Sequence, residues 1–145
     1  MAHDFKNYPE LSNAQMNMYY FDSPHQQIAE DFDAKVEKVH DGDTIRVSCS
    51  FRDFTFPIRM ANIMAAELNE EHGVEARNHL ANMILGAQVE ILIDKKNRVG
   101  KYGRLIGKVI HKGFDMGEQM KSDGFAVGVW QEQMGIKDLQ ITLDL

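Results

Sequence analysis

Apolar and polar side chains alternate along five stretches of the chain, which is the pattern of strands that bury one face and expose the other. In the clearest stretch, Ile45, Val47 and Cys49 alternate with polar residues. Three stretches follow one another closely, and the other two come after a longer gap. The pattern predicts strands from Ala34 to the acidic turn that starts at residue 40, and over residues 45–51, 54–63, 89–93 and 105–110.

The gap between the third and fourth predicted strands has the period of a helix. Its apolar residues recur at helical spacing between Asn69 and Leu85, and Gly86 can terminate such a helix. The residues predicted to face the core are Val74, Leu80, Met83 and Ile84. Five strands in sequential order with one inserted helix predict an α+β, mainly β fold: a five-stranded OB-fold barrel with an inserted helix, plus a helical N-terminal extension.

The N-terminal extension is predicted to contain two helices. An amphipathic helix is expected after Pro9, because four apolar residues follow at helical spacing. Those residues are Leu11, Ala14, Met18 and Phe21. A second short helix is expected from Ser23-Pro24, a cap followed by a proline suited to the first turn, with Ile28 and Phe32 on its apolar face.

The aromatic run at residues 19–21 is expected to pack on the barrel, as aromatic side chains at helical spacing usually do.

These patterns divide the chain into three parts. The predicted parts are an N-terminal helical extension over residues 1–34, an OB-fold domain over 35–130 and a C-terminal tail over 131–145.

The net charge of −6 is unevenly distributed along the chain. Residues 1–35 carry six acids and two bases and residues 131–145 carry three acids and one base, whereas residues 36–130 hold thirteen of each. This middle part contains a basic run without an acid, which suits a polyanion but is also typical of a solvated strand pair with protected edges. The run comprises Lys95, Lys96, Arg98, Lys101, Arg104, Lys108 and Lys112.

Cysteine content and hydropathy favour an intracellular protein. The lone Cys49 cannot form an intramolecular disulfide, and its place in an alternating pattern predicts a buried strand residue. No stretch is as long as a membrane span, and residues 1–4 do not open a signal peptide. We expect no membrane association and a cytoplasmic location, in a bacterium or as a phage product in its host.

The acidic turn at residues 40–44 supplies candidate metal ligands. A hard cation such as Ca²⁺ is bound by oxygen ligands, chiefly carboxylates. Asp43 would hold the ion, and the Thr44 region, Asp41 and water would fill other positions. In the alternative interpretation, both aspartates only shape the turn by hydrogen-bonding its backbone.

Three later residues could supply the remaining chemistry of phosphodiester hydrolysis, which needs a base for water and cations on the phosphate oxygens. Glu67 would act as the general base or orient the attacking water. Arg59 and Arg104 would each bind the phosphate through bidentate hydrogen bonds from the guanidinium group. Individually, Glu67 could instead stabilise a helix N-terminus, and Arg59 could form a surface ion pair.

Three motifs in order resemble the staphylococcal nuclease (thermonuclease) family. They are Val39-His40-Asp41-Gly42-Asp43-Thr44, the Arg59-x7-Glu67 spacing and Lys101-Tyr102-Gly103-Arg104, within a resemblance from about Lys35 to Trp130. The resemblance implies an OB fold and a metal-dependent, sequence-nonspecific nuclease that acts on DNA and/or RNA and leaves 3′-phosphate ends. It also implies nucleic-acid contacts by Lys101 and Tyr102, and base stacking by Trp130, for which a position in the core or at its rim is the alternative.

One position departs from the family pattern. Met64 stands where family members often have an aspartate that binds calcium, and Ala66 stands where they have a proline. Because a thioether is a poor ligand for a hard cation, we expect a weakened site that takes Ca²⁺ or else Mg²⁺ or Mn²⁺. The alternative functions are a catalytically weak nucleic-acid-binding OB module and a structural or assembly protein that uses the acidic extension.

The C-terminal tail contains a short motif of its own. Gln140, Leu143 and Leu145 form the pattern Gln-x-x-Leu-x-Leu, which resembles the peptide by which bacterial replication proteins dock on the sliding clamp. The two leucines would fill an apolar pocket of the clamp, and the glutamine would form hydrogen bonds at the rim of that pocket. The alternative is a final strand or strap that packs on the barrel.

Overall fold

The computed structural model describes residues 2–128, and its main feature is a curved sheet that closes on itself. Within these residues, three α-helices accompany eight strands. The helices are α1 (Asn13–Tyr19), α2 (Gly73–Ile84) and α3 (Met116–Ser122). The strands are β1 (Phe32–Asp41), β2 (Thr44–Cys49), β3 (Arg52–Met60), β4 (Ile63–Ala65), β5 (Gln88–Leu92), β6 (Leu105–His111), β7 (Phe114–Asp115) and β8 (Ala126–Gly128).

The barrel closes through one parallel pairing. Strands β3, β2, β1, β5 and β6 lie side by side in that order, and each neighbouring pair is antiparallel. Strand β3 then pairs in parallel with β6, with Ile58 opposite Leu105 and Met60 opposite Gly107. Pro57 precedes this pairing, so its missing N–H costs no bond between β3 and β6. The predicted five-stranded barrel with an inserted helix is confirmed.

Helix α2 packs against β1, and its start differs from the prediction. It buries Ala76, Leu80 and Ile84, whereas Val74 is 47% exposed and was wrongly predicted to face inward. The helix begins at Gly73 rather than Asn69, because hydrogen-bonded turns occupy the residues between Ala65 and the helix.

The N-terminal arm, defined here as residues 2–31, contains α1 and a following 3₁₀ turn at Tyr20–Asp22, but not the second predicted helix. The Gln27 amide accepts from the Leu11 N–H and donates to the Pro9 carbonyl, and these bonds hold residues 23–28 in a non-helical conformation beside residues 9–11. Packing of the whole aromatic run on the barrel was also wrong, because Phe21 is 96% exposed and Tyr20 is exposed as well.

Two buried arginines tie the arm to the barrel. Arg52 pairs with buried Glu10 and donates to the Gln26 carbonyl. Arg98 is 3% exposed and donates to the carbonyls of Ile28 and Leu11 at 2.6 and 3.0 Å. Arg98 is therefore not part of a solvated basic run.

Asp115 caps α3 by accepting from the backbone N–H groups of Gly117 and Glu118. Cys49 is only half-buried, although burial still raises the pKa of its thiol. Over residues 2–128, no helix has the length and apolar character needed to cross a membrane.

Candidate functional site

The turn between β1 and β2 fixes two aspartates beside each other. The Asp43 N–H donates to Asp41 Oδ1 at 3.1 Å, an Asx-type bond across one residue, and both side chains are buried. Gly42 lies against β4 and α2: a Cβ added there would be 2.7 Å from the Ala65 Cβ and 2.9 Å from the Ala76 Cβ. The glycine is therefore required by the close approach of the turn to its neighbours.

The Asp43 carboxylate contacts three donors. Its Oδ2 accepts from the Ala65 N–H at 2.9 Å and lies 3.4 Å from Arg59 Nη2, and its Oδ1 accepts from the Thr44 hydroxyl at 3.1 Å. Burial raises the pKa of Asp43 to about 6, the hydrogen bond with Asp41 adds to the rise, and the charge of Arg59 opposes it. Two carboxyl groups in one buried turn therefore favour either a shared proton or a nearby cation.

The two candidate arginines differ in how they are held. Arg59 donates Nη1 to the Met60 carbonyl and Nη2 to the Ile63 carbonyl, each at 2.6 Å, so backbone groups occupy both ends of its fork. Arg104 donates Nη1 to the Thr44 hydroxyl at 3.3 Å. Arg104 is therefore better placed than Arg59 to form the predicted bidentate hydrogen bonds to a phosphate.

Glu67 lies in the loop between β4 and α2, six residues before the helix begins rather than at its start. Its side chain is exposed, and its backbone N–H donates to Glu70 Oε1 at 2.7 Å. Met64 points into the same region and is 39% exposed.

These residues line one open cleft of about 520 Å³. Thr44 lies beside it through its bonds to the Asp43 and Arg104 side chains. Trp130, Gln140, Leu143 and Leu145 lie outside the described residues. The charged or polar side chains that line the cleft are Asp41, Asp43, Arg59, Asn62, Glu67, Glu70, Lys101, Tyr102 and Arg104.

Comparison with known protein families agrees with this arrangement. A family model described as "Staphylococcal nuclease homologue" matches residues 57–141, more than half of the chain. The chain belongs to the staphylococcal nuclease family. The micrococcal nuclease of Shigella flexneri is 34% identical over 79 residues, which make up 54% of this chain and 42% of that relative. The match therefore spans less than half the length of the curated relative.

The donors in this staphylococcal nuclease-family cleft fit a sparsely ligated cation. Within residues 2–128, no three His, Cys, Asp or Glu side chains are grouped so that they could hold a metal ion. Asp41 and Asp43 offer one carboxylate pair, and Met64 brings only a thioether to the cleft. Mg²⁺ typically keeps several waters and binds one or two carboxylates, whereas Ca²⁺ takes six to eight oxygens. The residues therefore fit a largely hydrated divalent ion better than one enclosed by protein oxygens.

Sequence reasoning missed Glu70, the remaining acid in this family member's cleft. The only available signal was the Glu67-x-x-Glu70 spacing, which resembles the reciprocal bonding of a capping box.

Proposed function

We propose that the protein is a metal-dependent nuclease that hydrolyses phosphodiester bonds of DNA, RNA or both without sequence preference. The observation that supports this most directly is one open cleft, in a staphylococcal nuclease-family chain, lined by Asp43, Glu67 and Arg104 together with Arg59. A relative named micrococcal nuclease adds support.

In the proposed reaction, a water molecule attacks phosphorus in line with the leaving 5′-oxygen. Glu67 accepts a proton from the water as its oxygen bonds to phosphorus, and the exposed position of this carboxylate gives water access to it. The P–O5′ bond breaks, and the 5′-oxygen leaves as an alcohol after taking a proton from solvent. The other product ends in a 3′-phosphate.

The arginines have different proposed roles. Arg104 donates to a non-bridging phosphate oxygen, where negative charge increases in the transition state. Arg59 is held by two backbone carbonyls and acts as a fixed positive charge beside Asp43. Asp43 and Asp41 would hold the divalent cation, with Ca²⁺, Mg²⁺ and Mn²⁺ as candidates. When bound, such an ion supplies positive charge near the phosphate.

A second candidate function is nucleic-acid binding without efficient cleavage. Met64 in place of a carboxylate favours it, because a metal site loses affinity with each lost charged ligand. The intact set of Asp43, Arg59, Glu67 and Arg104 favours the enzyme, because binding alone does not require a general base.

The test is incubation of the purified chain with end-labelled single-stranded DNA and RNA, in separate reactions with Ca²⁺, Mg²⁺, Mn²⁺ or chelator. We expect cleavage that requires a divalent ion, and fragments that a polymerase extends only after phosphatase removes a 3′-phosphate. Binding of both nucleic acids without cleavage under any of these conditions would favour the second candidate.

A further inference from the structure

A second groove, of about 620 Å³, lies between the N-terminal arm and strands β2 and β3. We call it the arm groove. Its wall combines aromatic rings from the arm and the barrel with cationic side chains. The lining residues include Phe5, Lys6, His25, Arg46, Phe54 and Arg104.

The rings in the arm groove form a continuous row. Phe5 packs edge-on against His25 with centroids 6.1 Å apart, and His25 packs edge-on against Phe54 at 5.0 Å. A ring nitrogen of His25 is also within 2.9 Å of the Pro9 carbonyl oxygen, which fixes the ring in place. A half-buried aromatic row of this kind presents apolar ring surface on which bases can stack.

The charged side chains that the arm groove exposes to solvent are positive. Lys6 and Arg46 are exposed, and Arg46 Nη1 donates to the Thr55 carbonyl at 2.8 Å, which orients the guanidinium. Glu10 is the only acid among the residues that line the groove, and buried Arg52 neutralises it. The groove therefore suits a polyanion that also carries flat apolar groups.

The arm groove adjoins the candidate cleft, because Tyr102 and Arg104 line both. Tyr102 is 68% exposed, with Lys101 Nζ 5.2 Å from its ring centroid. Tyr8 of the arm supports this turn: a Cβ added at Gly103 would lie 3.0 Å from the Tyr8 ring. A chain that leaves the cleft over Tyr102 thus enters the arm groove directly.

We propose that the arm groove binds the part of a single-stranded polynucleotide that lies beyond the scissile phosphate. Lys6 and Arg46 would contact successive backbone phosphates, and the exposed parts of the Phe5 and Phe54 rings would contact bases. This assignment rests on the proposed function, since it places the scissile phosphate in the candidate cleft. It gives the arm a direct role in substrate binding.

The test measures binding without cleavage, by fluorescence anisotropy of labelled oligonucleotides about 20 nucleotides long, in DNA and RNA versions. The variant is Lys6→Ala/Arg46→Ala in a Glu67→Gln background, and the matched control is Lys35→Ala/Lys121→Ala in the same background. The control removes two lysines that line neither cleft nor groove and that lie outside the basic run of residues 95–112. The single variant Lys6→Ala keeps the Arg46 hydrogen bonds, so its effect on binding cannot result from their loss. Thermal unfolding of every variant is measured to check that each one is folded.

We expect the double variant to weaken binding at least about fivefold and to reduce the salt slope of log K by roughly 1.4, the value for two lost phosphate contacts on a single strand. Lys6→Ala should give about half that change in slope, and the control should bind like its background. Equal binding by variant and control would overturn the proposal, and so would a wild-type-like slope with weaker binding. Cleavage by the wild-type chain is measured separately. If the wild-type chain does not cleave but the double variant still binds more weakly, the proposed nuclease function is rejected and the proposed role of the arm groove in binding is supported.

Discussion

At the scale of single residues, Asp43 is the group whose surroundings most constrain the proposed chemistry. Its carboxylate is buried, accepts from the Ala65 N–H and lies beside Arg59 and Asp41. Burial and the hydrogen bond with Asp41 outweigh the favourable contacts with Ala65 and Arg59, so the pKa is raised to about 6 rather than lowered. Without a cation, the ionised carboxylate therefore destabilises the folded chain at neutral pH.

This predicts a specific pH dependence for Asp43→Asn. The pKa rises from 3.8 to about 6 on folding, so the stability contributed by the protonated group is present below pH 3.8 and lost as pH rises through 6. Asparagine does not titrate. In chelator, the free energy of unfolding of the variant relative to wild type should therefore increase by about 1–3 kcal/mol between about pH 4 and pH 8. Urea unfolding at both pH values measures it, and an unchanged difference would contradict the raised pKa.

Met64→Asp tests whether the missing carboxylate limits metal binding. Met64 lines the cleft with Asp41 and Asp43, so an aspartate there adds a charged oxygen ligand to the pair. The cation concentration for half-maximal cleavage should fall by about tenfold, because affinity follows the number of charged ligands. Leu68→Asp is the control, since Leu68 is equally exposed but does not line the cleft. A titration midpoint that does not move would mean that the ion binds elsewhere.

Most charged residues of the cleft, though not Glu70, were predictable because the acidic turn and the arginines occur in a family-like order. The hydrogen-bond partners of each side chain could not be predicted from the sequence. Arg59 and Arg104 are the same residue type, but only the fold brings the Met60 and Ile63 carbonyls to the Arg59 fork. The position of Glu67 before the helix likewise depends on its contact with Glu70.

At the scale of elements, the five barrel strands and the first helix of the arm were predictable, and the path of the arm after that helix was not. Alternation along β1, β2 and β5 reflects burial on one face, which is a local property of the sequence. The arm is shaped by bonds between distant residues, such as Gln27 with Leu11, and these override the local helix signals. Arg98 was misjudged for a similar reason, because a basic residue among lysines gives no sign that it will be buried.

Arg98→Ala should loosen the arm. The substitution leaves the Leu11 and Ile28 carbonyls without their buried donor and also removes the bond to Asn13. We expect a loss of about 2–4 kcal/mol in the free energy of unfolding, the range for breaking a buried network around a charge. Lys96→Ala, two residues away and exposed, should change it little. A small effect of Arg98→Ala in urea unfolding would show that the arm is held mainly by apolar packing.

At the scale of the whole molecule, closure of the barrel brings the site together. The parallel pairing of β3 with β6 sets Arg59 opposite Ile106, and thereby places Arg104 across from the acidic turn between β1 and β2. The arm then covers β2 and β3 and supports the Tyr102 turn from the other side. The charged residues of the cleft thus come from strand ends, turns and loops that are far apart in sequence and held by one closed sheet.

The central claim is tested most directly by the single-turnover cleavage rate of Glu67→Gln with saturating divalent cation. Loss of a general base should lower the rate by about a hundredfold or more, with no change in oligonucleotide binding or melting temperature. Glu90→Gln, an exposed strand residue outside the cleft, should cleave like the wild-type protein. Cleavage by Glu67→Gln at the wild-type rate would contradict the account.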